Sequence, residues 1–221
     1  MTNDLSGQRV LVIGASGGIG SATADAFKAA GADVSRPARA TLDITDDASV
    51  AAFFDAEQPF DHVVIAAAAT RTGTVADLDM AHATASMDNK FFGAYRVARA
   101  ASVKDHGSIT FVSGFLANRP TPGTALQGAI NAAVDALARG LALERAPVRV
   151  NSVSPGTIDT PLWHRLPEGT RTAMFARVAD RLPVGKIGRP EDVAKAILFV
   201  ATNPFVTGSS LLVDGGGTIA G

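Results

Sequence analysis

The chain has 221 residues, 47% of them apolar and 19% charged, with a formal net charge of −1 and no cysteine. That composition is too apolar for a disordered polypeptide and long enough for one α/β unit with a sizeable core. Near-neutral charge without a basic block argues against nucleic acid or an anionic membrane as partner, and the lack of cysteine excludes disulfides and thiolate chemistry. His62, His82, His106 and His164 are scattered without ligand spacing, so no metal is expected. Residues 1–8 are polar and unlike a signal peptide, and no apolar run approaches membrane-spanning length. A cytoplasmic protein is expected.

Taken in order, residues 9–13 (Arg-Val-Leu-Val-Ile) read as a buried strand, followed by a glycine-rich turn and an alanine-rich helix over 21–30. Residues 32–35 predict a short second strand that runs into Arg36-Pro37-Ala38-Arg39. Thr45 or Asp46 can cap a helix over 47–56. Residues 61–69, with Val63-Val64-Ile65 and then four alanines, read as a strand covered on both faces. A long helix is predicted over 79–104, interrupted near Asp88 and Asn89, then a strand over 107–113 and a long helix over 124–145. A strand over 148–153 ends in Ser154-Pro155-Gly156, and residues 161–183 read as irregular. A helix over 190–202, a strand over 209–213 and a glycine-rich tail over 214–221 complete the chain.

Strands separated by helical spans imply crossover connections and a doubly wound parallel α/β sheet of Rossmann type, with helices on both faces. No internal repeat or linker divides it, so one domain over 1–221 is expected. Ligands of such sheets bind beyond the carboxyl ends of the strands, near the point where strand order reverses. The segments to inspect are 14–20, 35–39, 66–70, 113–115 and 154–160.

The first of these carries the clearest chemistry. Gly14, Gly18 and Gly20 stand where a side chain would block a tight turn or a close backbone approach, with Ser16, Gly17 and Ile19 completing the loop. A helix opening there offers unpaired N–H groups and a partial positive charge to a phosphate. Glycines also serve ordinary turns; the buried strand before this loop and the helix after it favour a nucleotide.

The order of motifs resembles the short-chain dehydrogenase/reductase family along essentially the whole chain. The run Gly14-Ala15-Ser16-Gly17-Gly18-Ile19-Gly20 matches that family's GxxxGxG loop, and Leu42-Asp43-Ile44-Thr45 resembles its adenine-contacting Asp segment. Asn89-Lys90-Phe91-Phe92-Gly93 resembles its Asn-x-x-x-Gly on the fourth helix. Residues 150–161 match its Asn-x-Val-x-Pro-Gly-x-x-x-Thr stretch, and Val213-Asp214-Gly215-Gly216 its C-terminal Asp-Gly-Gly. The resemblance implies a nicotinamide coenzyme, with Pro155, Gly156, Thr157 and Ile158 holding the carboxamide and Thr160 assisting. It implies a lid over 157–189, and a homodimer or homotetramer built through the two long helices. Ala66, Ala67 and Ala68, with Ala69, occupy the place of the family's Asn-Asn-Ala-Gly; they either let the backbone lie against the ribose or simply permit close helix packing.

Charge bears on which coenzyme. A site for the unphosphorylated dinucleotide places an acid about 20 residues after the glycine loop. Here that position reads Ser35-Arg36, with Arg39 nearby and no acid before Asp43. A guanidinium suits a 2′-phosphate, so NADP(H) is expected, the alternative being solvated loop arginines.

The catalytic positions depart from the family pattern of Ser, Tyr and Lys. Alignment puts Gln127 at the Tyr position and Asn131 at the Lys position, while the Ser position falls on Gly114, next to Ser113. The chain's single tyrosine, Tyr95, lies six residues beyond Asn89 and is turned away from the face that Asn89 presents. Asn89, Ser113, Gln127 and Asn131 are therefore the candidate catalytic residues. Neither amide can deliver a proton, which leaves Ser113, His164 or a water as the source, a substrate that needs no acid, or no chemistry at all. The expected function is an NADP(H)-linked oxidoreductase acting on a small carbonyl, alcohol or imine. The alternatives are a catalytically silent NADP(H) sensor and a non-redox enzyme on the same scaffold; the intact glycine loop speaks against the last.

Overall fold

A computed structural model describes residues 4–220, so residues 1–3 and 221 of the expected domain lie outside the described residues. Strand β1 (Arg9–Ile13) leads through the glycine turn into α1 (Gly18–Ala29) and β2 (Asp33–Ser35). Then follow α2 (Asp47–Ala56), β3 (Phe60–Ile65), α3 (Met80–Met87), a π-helical turn (Asp88–Phe92) and α4 (Gly93–Ala100). Strand β4 (Val103–Val112), a 3₁₀ turn (Phe115–Ala117), α5 (Ala125–Glu144) and β5 (Arg149–Pro155) come next. A second 3₁₀ turn (Pro161–Arg165), α6 (Glu168–Ala179), α7 (Pro190–Thr202) and β6 (Ser210–Val213) close the described chain.

The six strands form one sheet in the order β2-β1-β3-β4-β5-β6, every pair parallel. From β1 the chain lays β2 on one side and β3 on the other, so strand order reverses at the carboxyl ends of β1 and β3. Alternation in the strands serves two cores. Leu11, Ile13, Val63 and Ile65 face α2, α4 and α5 with Phe54, Val97, Phe111 and Val134. Val10, Val12 and Val64 face α1 and α7 with Ala24, Phe27, Val193 and Ile197. Each such side chain contributes about 1.5–3 kcal/mol when fully buried, which is why these strands are apolar without a polar face.

Local signals explain several helix starts. Asp46 accepts from the Ala48 N–H at 2.9 Å and Asp79 from the His82 N–H at 2.8 Å, while α7 opens on Pro190 with Asp192 accepting from the Arg189 N–H.

Four sequence expectations need correction. The helix predicted over 79–104 is three segments, and it stops at Ala100 because Val103 already pairs with Phe60 in the sheet. The strand predicted over 61–69 ends at Ile65: the Ala66 N–H still bonds Ile13, but the following backbone lies against Gly14 and turns away. Residues 161–183, read as irregular, contain α6; that helix buries no residue and so lacks the apolar stripe by which helices are read. Helix α1 starts at Gly18, which brings Gly18, Ile19 and Gly20 into its first turn.

Candidate active site

Gly14 is held at φ +89°, and a Cβ there would come within 2.5 Å of the Ala67 nitrogen. A Cβ on Gly20 would run into the carbonyl of Gly14, so the turn closes on itself only without side chains at these two places. The loop that precedes α1 borders a pocket of about 260 Å³ at the strand-order reversal, while Gly18, Ile19 and Gly20 in the first turn of α1 are not part of its wall. Its wall includes Gly14, Ser16, Gly17, Arg39, Asp43, Ile44, Ala66, Ala67, Ala68 and Asn89, most of the residues expected to hold the coenzyme's adenosine half. Pro37, Leu42 and Ala69 complete the wall on the side of β2 and β3. A backbone cradle that side chains would fill, with a guanidinium at its rim, fits a dinucleotide phosphate.

Arg36 and Arg39 both have acidic partners. Arg39 Nε donates to Asp43 Oδ2 at 3.0 Å, and Arg36 Nη2 donates to Asp25 Oδ1 at 2.8 Å. Hydrogen bonds from the Thr45 hydroxyl and N–H hold the Asp43 carboxyl below its ordinary range, and they orient it in the pocket wall.

Pro155, Gly156, Thr157, Ile158 and Thr160 are not part of that wall, and Arg36 is not either. The Gly156 N–H bonds Val213, and Gly156 lies flat on Asp214. Thr160 packs on Gly18, so the segment after β5 returns to the start of α1. Residues 157–189 are pinned at their base: Ile158 bridges Gly188, and the Asp159 and Gly188 N–H groups bond Gly188 and Thr157 across the neck. Within this segment Trp163 Nε1 donates to the Ile158 carbonyl at 2.8 Å, and its ring meets Phe175 edge-on at 6.1 Å. His164 is exposed.

The candidate catalytic residues do not all gather in one place. Asn89 lines the coenzyme pocket, where its Oδ1 accepts from the Ala69 N–H at 2.6 Å. Ser113, Gln127 and Asn131 are buried at the end of β4 and on α5. The Ser113 hydroxyl lies 3.5 Å from the Val153 carbonyl, a marginal bond at best, while the Ser113 N–H bonds the same carbonyl at 2.9 Å. Asn131 lies over Gly114, where a Cβ would come within 2.6 Å of Nδ2. Gln127, one turn before Asn131, has neither amide atom hydrogen-bonded among the described residues.

The residue that reaches this group is Lys90, which sequence reasoning passed over as an unassigned letter beside Asn89. It sits on the π-helical turn, and its Nζ donates to the Asn131 Oδ1 and to the Ser113 carbonyl, each at 2.7 Å. A π turn widens the helix locally, so the consecutive residues Asn89 and Lys90 both address the carboxyl edge of the sheet. Desolvation lowers the Lys90 ammonium to about 8, opposed by the charge of Asp135 on α5. The only sequence signal was a lysine between Asn89 and the apolar pair Phe91-Phe92. Tyr95 is about half exposed on the outer face of α4, as its position relative to Asn89 predicted.

Residues 35–218 match the family model described as enoyl-(acyl carrier protein) reductase. The chain belongs to the short-chain dehydrogenase/reductase family. It is 32% identical to short-chain dehydrogenase/reductase ATR9 of Stachybotrys chlorohalonatus, over 96% of this chain and 97% of that protein. It is 35% identical to the cis-4-hydroxycyclohexanecarboxylate dehydrogenase of Sinomonas cyclohexanicum, with the same coverage. Among solved structures, a small-chain dehydrogenase in complex with NADPH superposes with a TM-score of 0.93 at 36% identity, over 96% of this chain and 99% of that one. The family uses a nicotinamide coenzyme, and its named relatives here are dehydrogenases and reductases. No helix among the described residues is long and apolar enough to cross a membrane.

Proposed function

We propose that this protein is an NADP(H)-dependent oxidoreductase acting on a small organic carbonyl, alcohol or imine, with an active site that departs from the family's Ser-Tyr-Lys pattern. The observation that carries this reading is the pocket at the strand-order reversal, with a side-chain-free cradle on one wall and Arg39 on the other. Arg36, immediately after β2, adds a second guanidinium where an NAD site carries an acid. The relative solved with NADPH supports the phosphorylated coenzyme.

Bound there, the coenzyme supplies the hydride. The protein's own groups orient the acceptor and exclude water. Gln127, buried with both amide atoms unpaired, is suited to donate its Nε2–H to a substrate oxygen, since leaving it unsatisfied costs about 1–3 kcal/mol. Asn131 fixes the floor beside it through Lys90. Residues 157–189 act as the lid, with Thr160 standing at the glycine loop and Trp163 clasped to Phe175. Pro155, Gly156, Thr157 and Ile158 form the edge that receives the carboxamide. A cytoplasmic homodimer or homotetramer completes the proposal, supported by Phe92 and Tyr95, which are exposed on neighbouring turns at the start of α4.

The test is calorimetry with NADPH and NADH, followed by a panel of ketones, aldehydes, enones and imines. Tighter binding of NADPH and turnover that falls in Gln127→Ala are expected. NADPH binding without turnover across the panel would instead indicate a catalytically silent sensor.

A further inference from the structure

Lys90 is a half-buried ammonium that the family pattern does not place here, and it touches two of the candidate catalytic residues. Two of its three N–H donors are committed, to the Asn131 Oδ1 and the Ser113 carbonyl, and no other partner is present among the described residues. One helical turn from Asn131, the Gln127 amide is buried and unpaired, which marks the same corner as the seat of a polar ligand group. No other group in this cluster can release a proton near neutrality. Ser113 is a hydroxyl, Gln127 and Asn131 are amides, His164 is exposed on the lid and Tyr95 lies on the outer face of α4.

We propose that Lys90 is the proton donor to the substrate oxygen, entering the site from the π-helical turn rather than from α5. The step balances with a dihydronicotinamide as reductant. A C–H bond forms at the carbonyl carbon as the hydride leaves the coenzyme, and the C=O π pair moves to oxygen. An O–H bond then forms as one N–H bond of Lys90 breaks. The neutral amine regains its proton from solvent. In the oxidative direction the amine takes the alcohol proton. Asn131 is a positioning residue in this scheme: its Oδ1 and the Ser113 carbonyl hold two N–H groups and aim the third. The charges on the surrounding elements are Asp135 on α5, Asp88 ion-paired with Arg96 at 2.8 Å, and Asp79 paired with His82 on α3. Asp135 alone among these favours the ammonium at Lys90, and it also accepts from the Ser152 hydroxyl. Desolvation sets the opposing tendency, so the group titrates near 8, in the range a general acid needs.

This assignment rests on the oxidoreductase reading, and the test separates the two. Side-chain NMR of isotope-labelled lysine in the intact protein is compared with Lys90→Arg and Lys90→Gln, whose folding is checked by thermal unfolding. A signal missing from both variants should titrate near pH 8 and should shift when NADPH is added. Titration in the ordinary lysine range, or indifference to NADPH, overturns the proposal without any turnover measurement. With a substrate from the panel, both variants should bind NADPH as the wild type does but lose about 10²–10⁴ in reduction rate. Lys90→Arg keeps the charge yet cannot release a proton, so a rate near wild type in that variant overturns the proton role while leaving the oxidoreductase reading intact. A wild type that binds NADPH and reduces nothing overturns both.

Discussion

Arg36 Nη2 lies 2.8 Å from Asp25 Oδ1, an ion pair between the end of β2 and the helix that carries the phosphate loop. The pair is exposed on the Asp25 side, and Arg36 directly precedes Pro37 of the pocket wall. On the NADP(H) reading proposed above, a 2′-phosphate must compete with Asp25 for it. Exposed pairs of this kind are worth about 0.2–1 kcal/mol, so Asp25→Asn should tighten NADPH binding by up to about fivefold. NADH affinity should not change. Arg36→Ala should lower NADPH affinity and leave NADH affinity alone; calorimetry with both coenzymes measures each effect.

The glycine loop makes a sharper prediction. Gly20→Ala drives a methyl into the Gly14 carbonyl, and the loop must open to accept it. NADPH affinity should fall by more than about tenfold, and the thermal midpoint should fall with it, because Gly20 is buried and the atom it would meet is backbone. Gly14→Ala should cost stability as well, about 1–2 kcal/mol, since an alanine at φ +89° is strained and also meets Ala67. Denaturant unfolding and calorimetry of the two variants check both effects.

His62 sets an acid limit to stability. It is buried between Ser108 and Gln8, with Nδ1 at 2.8 Å from the Ser108 hydroxyl and Nε2 at 2.9 Å from Gln8 Oε1. Burial lowers its pKa from 6.5 to about 4, with Arg149 acting in the same direction. The folded pKa lies below the unfolded one, so the contribution is fully present above pH 6.5 and is lost as pH falls towards 4. The loss amounts to about 3 kcal/mol. His62→Gln should flatten the decline in unfolding free energy between pH 6.5 and 4; an unchanged acid limb would contradict the assignment.

Trp163 is the chain's single tryptophan and sits in the segment 157–189 proposed as the lid, clasped to Phe175 and to the Ile158 carbonyl. Excitation of that indole should therefore sensitise NADPH emission on binding. Phe175→Ala should weaken the transfer more than it weakens binding, since the clasp orders the lid without touching the glycine loop. Equal transfer in both proteins would show that the clasp does not set the lid's position.

Much of the sheet and of the glycine turn beside the pocket was legible in the residues themselves. Strand β1 and the Val63–Ile65 end of β3 are apolar without polar alternation, and Gly20 is required by its contact with Gly14 six residues earlier. Such signals are local, so periodicity and turn chemistry expose them. That Tyr95 is the chain's single tyrosine was equally plain.

What tertiary structure alone decided was who stands beside whom. Lys90 meets Asn131 across 41 residues of sequence, through the rotation of a π turn and the register of two parallel strands. Arg36 and Arg39 found Asp25 and Asp43, a pairing that no charge count reveals. Composition and spacing determined that this chain is a parallel α/β fold with a glycine turn between β1 and α1, because those follow from backbone and burial requirements along the chain. The ammonium beside Ser113 and Asn131 depends on how separate helices are rotated against one sheet, which is a property of the packed molecule.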